Sequence, residues 1–262
     1  LTASMPPAAN ASAIFYNTSP KRPYTNELES VIILDDLANY ELTWEKGKLL
    51  NLGIDFSIFK RRLDFVVDYW RRNSFDLIGT IRTSGIGGET SKYANYADMK
   101  SHGVDIGVGV IPVKYKDFEW KMNITYGLSK TEITDYAATP RIYDLVKPEG
   151  GNLVGYPARS LFSIVYKGLN PETGIPEFIN EDGDQSNYVY IQSTDVSHLK
   201  YEGCVEPTYV GGIGNNFKWK NLALNVFFTF QGGNKIRMNS VFKSSYTDLD
   251  AMPKVFLDRW LV

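Results

Sequence analysis

Two aspartates on one predicted strand are the first candidates for acid and base chemistry in this sequence. Asp64 and Asp68 share one strand face. At 3.3 Å per residue, four residues separate them by about 13 Å. The paired carboxylates of glycosidases lie about 5 to 9.5 Å apart, so this pair does not have the spacing for glycoside hydrolysis.

Histidine and cysteine are the next candidates, and they are sparse. His102 and His198 have no nearby serine or cysteine partner in sequence, and Cys204 is close only to Glu206. A single cysteine allows neither an internal disulfide nor a cysteine-based zinc site within these residues. No motif for hydrolysis, redox chemistry or phosphoryl transfer is present, so we predict no enzymatic activity and no cofactor.

Two loop-like segments resemble ligand motifs only partly. Residues 180–187 are rich in acidic side chains, but they lack the late bidentate glutamate of a calcium loop, so an acidic turn is the favoured interpretation. Whether this stretch binds a metal stays open. Residues 85–90 are glycine-rich without the Lys-Ser/Thr of a phosphate loop, which favours a mobile loop.

The elements that carry these residues are strands with one apolar face. Apolar and polar residues alternate along residues 50–58, and residues 63–69 repeat the pattern. A period of two gives each strand one apolar and one polar face. The alternation predicts three hairpin registers: Ile58 opposite Leu63, Val110 opposite Phe118, and Phe217 opposite Leu222.

The polar face of these strands is predicted to line a water-filled lumen. Small glycines on this face leave room inside. The polar residues assigned to the lumen are Asn51, Asp55, Asp64, Asp68, Asp105, Asn123 and Asn225.

Connections between the strands are sorted by length. The short ones are at residues 59–62, 111–117 and 218–221, and the long ones are at roughly 79–97, 131–155 and 180–207. Outer-membrane barrels have short periplasmic turns and long extracellular loops. Aromatic residues make up 14% of the chain and concentrate near strand ends, as in interfacial girdles. We therefore predict an all-β protein, an antiparallel transmembrane β-barrel.

The alternative is a soluble, secreted β-sandwich that binds carbohydrate, because its alternating faces would look the same. Loop sorting favours the barrel. A net charge of -2 and a pI near 5.8 give no electrostatic footprint for nucleic acid. No apolar run approaches the length of about 18 residues that a transmembrane helix needs.

Seven short segments, in order, resemble the SusC/RagA-like TonB-dependent outer-membrane transporters. They are NYELTWEK with NLGID at 39–55, RRLDFVVDY at 61–69, KSHGVDI at 100–106, GYPARSLF at 155–162, GLNPETGIP at 168–176, YVGGIGNNF at 209–217 and QGGNK at 231–235.

This resemblance implies a segment of a roughly 22-stranded plugged barrel. Residues 1–46 would form an extracellular loop and strand-end segment, and residues 47–262 would form a partial barrel of about eight to ten strands. The plug domain, the TonB box and the closing strand are not recognisable, and the chain begins at Leu1 without a signal peptide, so we expect a piece of a longer protein.

The resemblance also implies function and partners. The full protein would import oligosaccharides, or peptides, across a bacterial outer membrane of the Bacteroidetes type. A SusD-like surface lipoprotein would cap it, the TonB complex would drive it, outer-membrane lipid would surround it, and two transporter-lipoprotein pairs would form a dimer. Four tyrosines placed in long loops are candidates for contact with substrate or lid: Tyr93, Tyr96, Tyr143 and Tyr246.

Overall fold

A computed structural model describes residues 2–4, 14–22, 24–36, 39–86, 91–238, 245–247, 249–251 and 254. Within them, the chain forms strands with a single short helix. The strands before the helix are β1 (Thr2–Ser4), β2 (Ile14–Thr18), β3 (Val31–Asp36), β4 (Glu45–Ile58), β5 (Leu63–Arg82), β6 (Ser91–Tyr115) and β7 (Phe118–Tyr136). Then follow α1 (Ile142–Leu145), β8 (Ser160–Ser163), β9 (Tyr166–Leu169), β10 (Pro176–Ile179), β11 (Gln185–Ser186), β12 (Lys200–Cys204), β13 (Tyr209–Trp219) and β14 (Leu222–Gly232).

One antiparallel sheet dominates the described residues. Its strand order is β1-β4-β5-β6-β7-β13-β14, and it does not close on itself. All of its strands except β1 have 11 to 25 residues. A tilted strand needs about 9 to 11 residues to cross a bilayer, so each of these is long enough. The predicted count of eight to ten strands stays a prediction, because much of the chain after Met238 lies outside the described residues.

The first predicted hairpin is confirmed. Ile58 lies opposite Leu63, and Gly53 lies opposite Asp68, as the alternation requires. The intervening turn has left-handed backbone at three non-glycine positions, 59–61. One register places both apolar faces on the same side of the sheet.

The second predicted register is wrong by four residues. Val110 lies opposite Met122 instead of Phe118. The strands continue past the predicted loop to a two-residue turn at Lys116 and Asp117, where Lys116 has a φ of 47°. A tight turn of this kind matches the twist of the strands it joins. Because the shift is even, every side chain stays on its predicted face.

The third predicted register is wrong by two residues for the same reason. Phe217 lies opposite Leu224 instead of Leu222, and the turn contains only Lys220 and Asn221. Lys220 has a φ of 52°. All three short turns lie at the same end of the sheet, which confirms the predicted sorting of the connections.

The predicted bounds of the long connections need correction. Residues 79–82, 91–97 and 131–136 belong to strands, so these strands extend beyond the length a bilayer requires. Residues 137–208 form one connection, containing α1 and five strands of two to five residues that are too short to cross. Within the glycine-rich segment, residues 87–90 lie outside the described residues.

A small core packs this long connection onto the end of β7, where Ile133 exchanges backbone hydrogen bonds with Gly155 and Tyr156. Its rings include Tyr156, Phe162 and Tyr201, with centroids 4.9 to 5.6 Å apart. The apolar side chains that are at most 6% exposed are Ile133, Ile142, Leu145, Leu161, Phe162 and Cys204. Contacts of this kind hold a loop in a defined shape.

The apolar face of the main sheet has the opposite character, because it is uncovered. Leu52, Ile54 and Phe228 are 59%, 68% and 60% exposed. A β-sandwich would bury this face against a second sheet, whereas within the described residues no sheet covers it, which does not match the sandwich alternative. Among those residues, no helix is long and apolar enough to span a membrane.

Candidate functional site

Polar side chains from several strands meet on the other face of the main sheet. One row across the strands runs from Gly53 through Asp68, Asp105 and Gly127 to Val210. Asp68 and Asp105 are directly opposite each other, which places two carboxylates side by side. The strand registers put all the polar residues predicted for the lumen on this face: Asn51, Asp55, Asp64, Asp68, Asp105, Asn123 and Asn225.

The glycines of this face have no side chain that could project from the sheet. A Cβ at Gly127 would lie 2.8 Å from Asp105 Oδ1, and a Cβ at Gly103 would lie 2.6 Å from the carbonyl oxygen of Leu128. Side chains at these positions would therefore displace a carboxylate or the neighbouring strand. A low polar surface leaves space for water or another polypeptide.

The polar face also carries apolar residues that the sequence pattern did not single out. Phe227 is 68% exposed here and lies over Gly212 and Gly214. With Thr125 and Gln231 it lines a shallow cleft of about 800 Å³ that also includes the two opposed aspartates. A strict period of two places Phe227 on this face. Because the side chain is apolar, the sequence pattern did not identify it as a residue of the polar face.

The four candidate tyrosines lie in three different parts of the chain. Tyr93 and Tyr96 were expected in a loop, but both belong to β6. Tyr93 is partly exposed, whereas Tyr96 is about half buried and packs edge-on against Tyr136, with centroids 5.4 Å apart. Tyr143 belongs to α1 and is 44% exposed, and Tyr246 is partly exposed. Among the candidate tyrosines that lie in a strand or helix, Tyr143 and Tyr93 therefore have the most accessible rings.

A charged cleft at the loop end of the sheet was missed by sequence reasoning. Asp144 accepts ion pairs from Arg82 at 3.2 Å, Arg141 at 3.0 Å and Lys147 at 3.8 Å. Together with Arg159 these residues line a cleft of about 690 Å³. The spacings of Arg141 and Lys147 from Asp144 are local, but the Arg82 contact links residues 62 positions apart and could not be read from the sequence.

The acidic segment forms a turn, as predicted. Asn180 Oδ1 accepts hydrogen bonds from the backbone N–H groups of Asp182 at 3.1 Å and Asp184 at 2.8 Å, and Gly183 has a φ of 84°. This turn connects β10 and β11. Among the described residues, no group of three or more His, Cys, Asp and Glu side chains is arranged to hold a metal ion.

Two further polar contacts fix the β8–β12 pair. The Ser163 hydroxyl donates to Glu202 Oε1 at 2.6 Å, and this bond, with help from Lys200, holds the pKa of the Glu202 carboxyl below its usual value. Cys204 is buried, and its thiol donates to the Ala158 carbonyl at 3.3 Å. The thiol therefore has a structural role in the long connection at residues 137–208.

The described sheet has long antiparallel strands, one exposed apolar face and one polar face. Its short turns all lie at one end. These features define a segment of a transmembrane β-barrel. A family model described as TonB dependent receptor-like, beta-barrel, matches residues 7–260. The chain belongs to this family, and it is part of an outer-membrane β-barrel.

Named relatives agree with this assignment. TonB-dependent receptor P3 of Formosa agariphila is 22% identical over 78% of the chain, and SusC of Bacteroides thetaiotaomicron is 25% identical over 56% of it. The solved structure titled as the RagAB peptide transporter matches 86% of the chain with a TM-score of 0.68 and 23% identity. The chain spans about a quarter or less of the length of these proteins: 22%, 16% and 24%, respectively.

Proposed function

We propose that the full protein imports a bulky nutrient, most simply an oligosaccharide, across the outer membrane in a TonB-dependent manner. The observation that carries the proposal is the polar, glycine-rich face formed by β4–β7, β13 and β14, opposite an apolar face. In a closed barrel this face lines the lumen. Its carboxylates, amides and hydroxyls exchange hydrogen bonds with water and with the hydroxyls of a sugar.

The lumen is proposed to hold a plug as well as the passing nutrient. Low positions such as Gly107 and Gly109 accommodate a second polypeptide, and the opposed Asp68 and Asp105 favour a cationic or hydrogen-bond-donating neighbour there. Movement of this plug would require energy, which the TonB complex would supply. No step of this process requires a covalent reaction with this chain.

A SusD-like lipoprotein is proposed to bind over the loop end of the barrel, and pairs of transporter and lipoprotein are proposed to dimerise. The packed connection at residues 137–208 supports this, because its core gives the loops a defined shape. The charged cleft around Asp144 and the partly exposed Tyr143 lie in or beside this connection. We also retain residues 1–46 as an extracellular segment and residues 47–262 as the partial barrel.

A peptide is the second candidate substrate. The fold likeness to the structure titled as the RagAB peptide transporter favours it. The polar face does not discriminate between a peptide and an oligosaccharide, because peptide groups and sugar hydroxyls form the same kinds of hydrogen bond.

Uptake measurements test this proposal. A strain lacking the full gene is compared with a complemented strain, using fluorescent oligosaccharides and fluorescent peptides of matched size, with and without a functional TonB complex. We expect TonB-dependent accumulation of oligosaccharides in the complemented strain only. Accumulation of peptides alone would replace the substrate class, and identical uptake by all strains would refute the transport function.

The tyrosine assignment needs its own test in the full protein. Tyr93, Tyr96, Tyr143 and Tyr246 are changed together to alanine, and in a matched variant to phenylalanine. Ring stacking on a sugar predicts that the alanine variant loses affinity while the phenylalanine variant keeps most of it. Unchanged ligand and lipoprotein binding in the alanine variant would remove all four residues from the site.

A further inference from the structure

A row of basic side chains lies on the outward face of the sheet, just beyond the apolar surface. Arg71, His102 and Lys130 are directly opposite one another on β5, β6 and β7. All three are exposed. Three consecutive strands thus create one patch, here named the basic row.

The basic row continues the lipid-facing surface. The next row towards the short turns, on the same face, is apolar and consists of Leu52, Tyr69, Val104, Leu128 and Tyr209. Residues two apart on a strand share a face, so the basic row lies on the membrane side of the barrel wall. It therefore faces lipid instead of the lumen.

The height of the basic row matches a lipid headgroup layer. Arg71 is eight residues from the start of β5, which corresponds to about 20 Å along the membrane normal for a strand tilted by about 40°. Lys130 is twelve residues from the start of β7, or about 30 Å by the same estimate. The apolar band of such barrels is about 25 Å tall, so these two estimates fall on either side of its boundary at the loop end.

In the described part of the chain, no carboxylate forms an ion pair with the basic row. Among the described residues, Arg71, His102 and Lys130 take part in no ion pair, whereas Lys100 in the next row is paired with Glu132 at 3.1 Å. Guanidinium and ammonium groups at a membrane surface attract anionic headgroups.

We propose that the basic row binds the phosphate groups of a phosphorylated glycolipid in the outer leaflet. Arg71 donates bidentate hydrogen bonds to a phosphate, Lys130 supplies a compact charge, and His102 between them donates a further hydrogen bond. The acyl chains of the same lipid lie over the apolar row below. This inference requires only the barrel's place in the membrane and is independent of the transported substrate.

The test uses the full protein in phosphatidylcholine nanodiscs doped with bis-phosphorylated lipid A or with its dephosphorylated form. The variant carries R71Q, H102Q and K130Q. The matched control carries K60Q, R61Q and R62Q, which removes three exposed basic side chains from the short-turn end. Heat-modifiable migration on gels verifies that each barrel is folded.

Each Lys or Arg near an anionic surface contributes about fivefold, so the loss of Arg71 and Lys130 should lower the affinity for bis-phosphorylated lipid A by about 25-fold or more. The control variant and the dephosphorylated lipid should show no such difference. Equal affinity of all three proteins, or equal loss in both variants, would overturn the proposal. Normal lipid binding with loss of a protein partner would also overturn it, and would assign the row to a protein interface.

Discussion

Adjacent valines on β5 offer a direct test of which face meets lipid. Val67 lies on the apolar face, directly opposite Ile54 and Ile106, whereas Val66 lies on the polar face opposite Asp55 and Gly107. Changing either residue to arginine adds the same side chain to the same strand. The two variants differ only in the face of the sheet from which the arginine projects.

The expected cost depends on depth in the bilayer. Val67 is four residues from the start of β5, or about 10 Å along the normal for a strand tilted by about 40°, which is close to the middle of an apolar band about 25 Å tall. Arginine on the lipid face near the midplane costs about 2 to 4 kcal/mol. This corresponds to a decrease of about 30- to 1,000-fold in the folding equilibrium.

On the polar face, V66R adds an exposed cation near Asp55, so we expect a change of less than about 1 kcal/mol. The assay is guanidinium unfolding of the full-length protein in phospholipid vesicles, followed by tryptophan fluorescence, with wild type as reference. Equal destabilisation by the two variants, or a larger effect of V66R, would refute the assignment of the faces.

Three further outcomes follow from packing and protonation. A Cβ at Gly103 would meet a backbone carbonyl at 2.6 Å, so G103A should lower the thermal midpoint by an amount equivalent to about 1 to 3 kcal/mol, whereas G107A, with its nearest neighbour at 3.5 Å, should change it little. L145A removes a fully buried side chain and should speed proteolysis of the connection at residues 137–208, with a local cost of about 2 to 5 kcal/mol, while V154A at an exposed position should not. The pKa of Glu202 is lowered in the folded protein, so the ionised carboxylate stabilises the β8–β12 pair at pH values above the usual glutamate pKa. This contribution should be lost as the pH falls through the lowered pKa. Hydrogen exchange of β8 measured across that pH range checks the last outcome, and protection independent of pH would contradict it.

Alternation in the sequence predicted the faces of the strands because side-chain direction has a local cause. Leu52, Ile54 and Phe56 point to one side whatever their partners are, since successive residues of a strand face opposite sides. The same logic placed the predicted polar residues together on the other face. Even where Val110 and Phe217 were given wrong partners, their faces were right.

Register required the tertiary structure, because the turn position decides it. The tight turns at Lys116 and Lys220 use left-handed backbone that residue type alone did not reveal. The structure of the connection at residues 137–208 could not be predicted either, because its short strands are stabilised by packing between distant residues and show no alternating pattern.

The sequence by itself determined an antiparallel barrel segment, its two faces, its loop sorting and its family resemblance. Only the tertiary structure decided which distant residues meet: Arg82 with Asp144 at the loop end, and Arg71 with His102 and Lys130 on the outer wall. The physical reason is that the face on which a side chain lies depends on the period of two within its own strand. Contacts between distant residues depend instead on the register between strands.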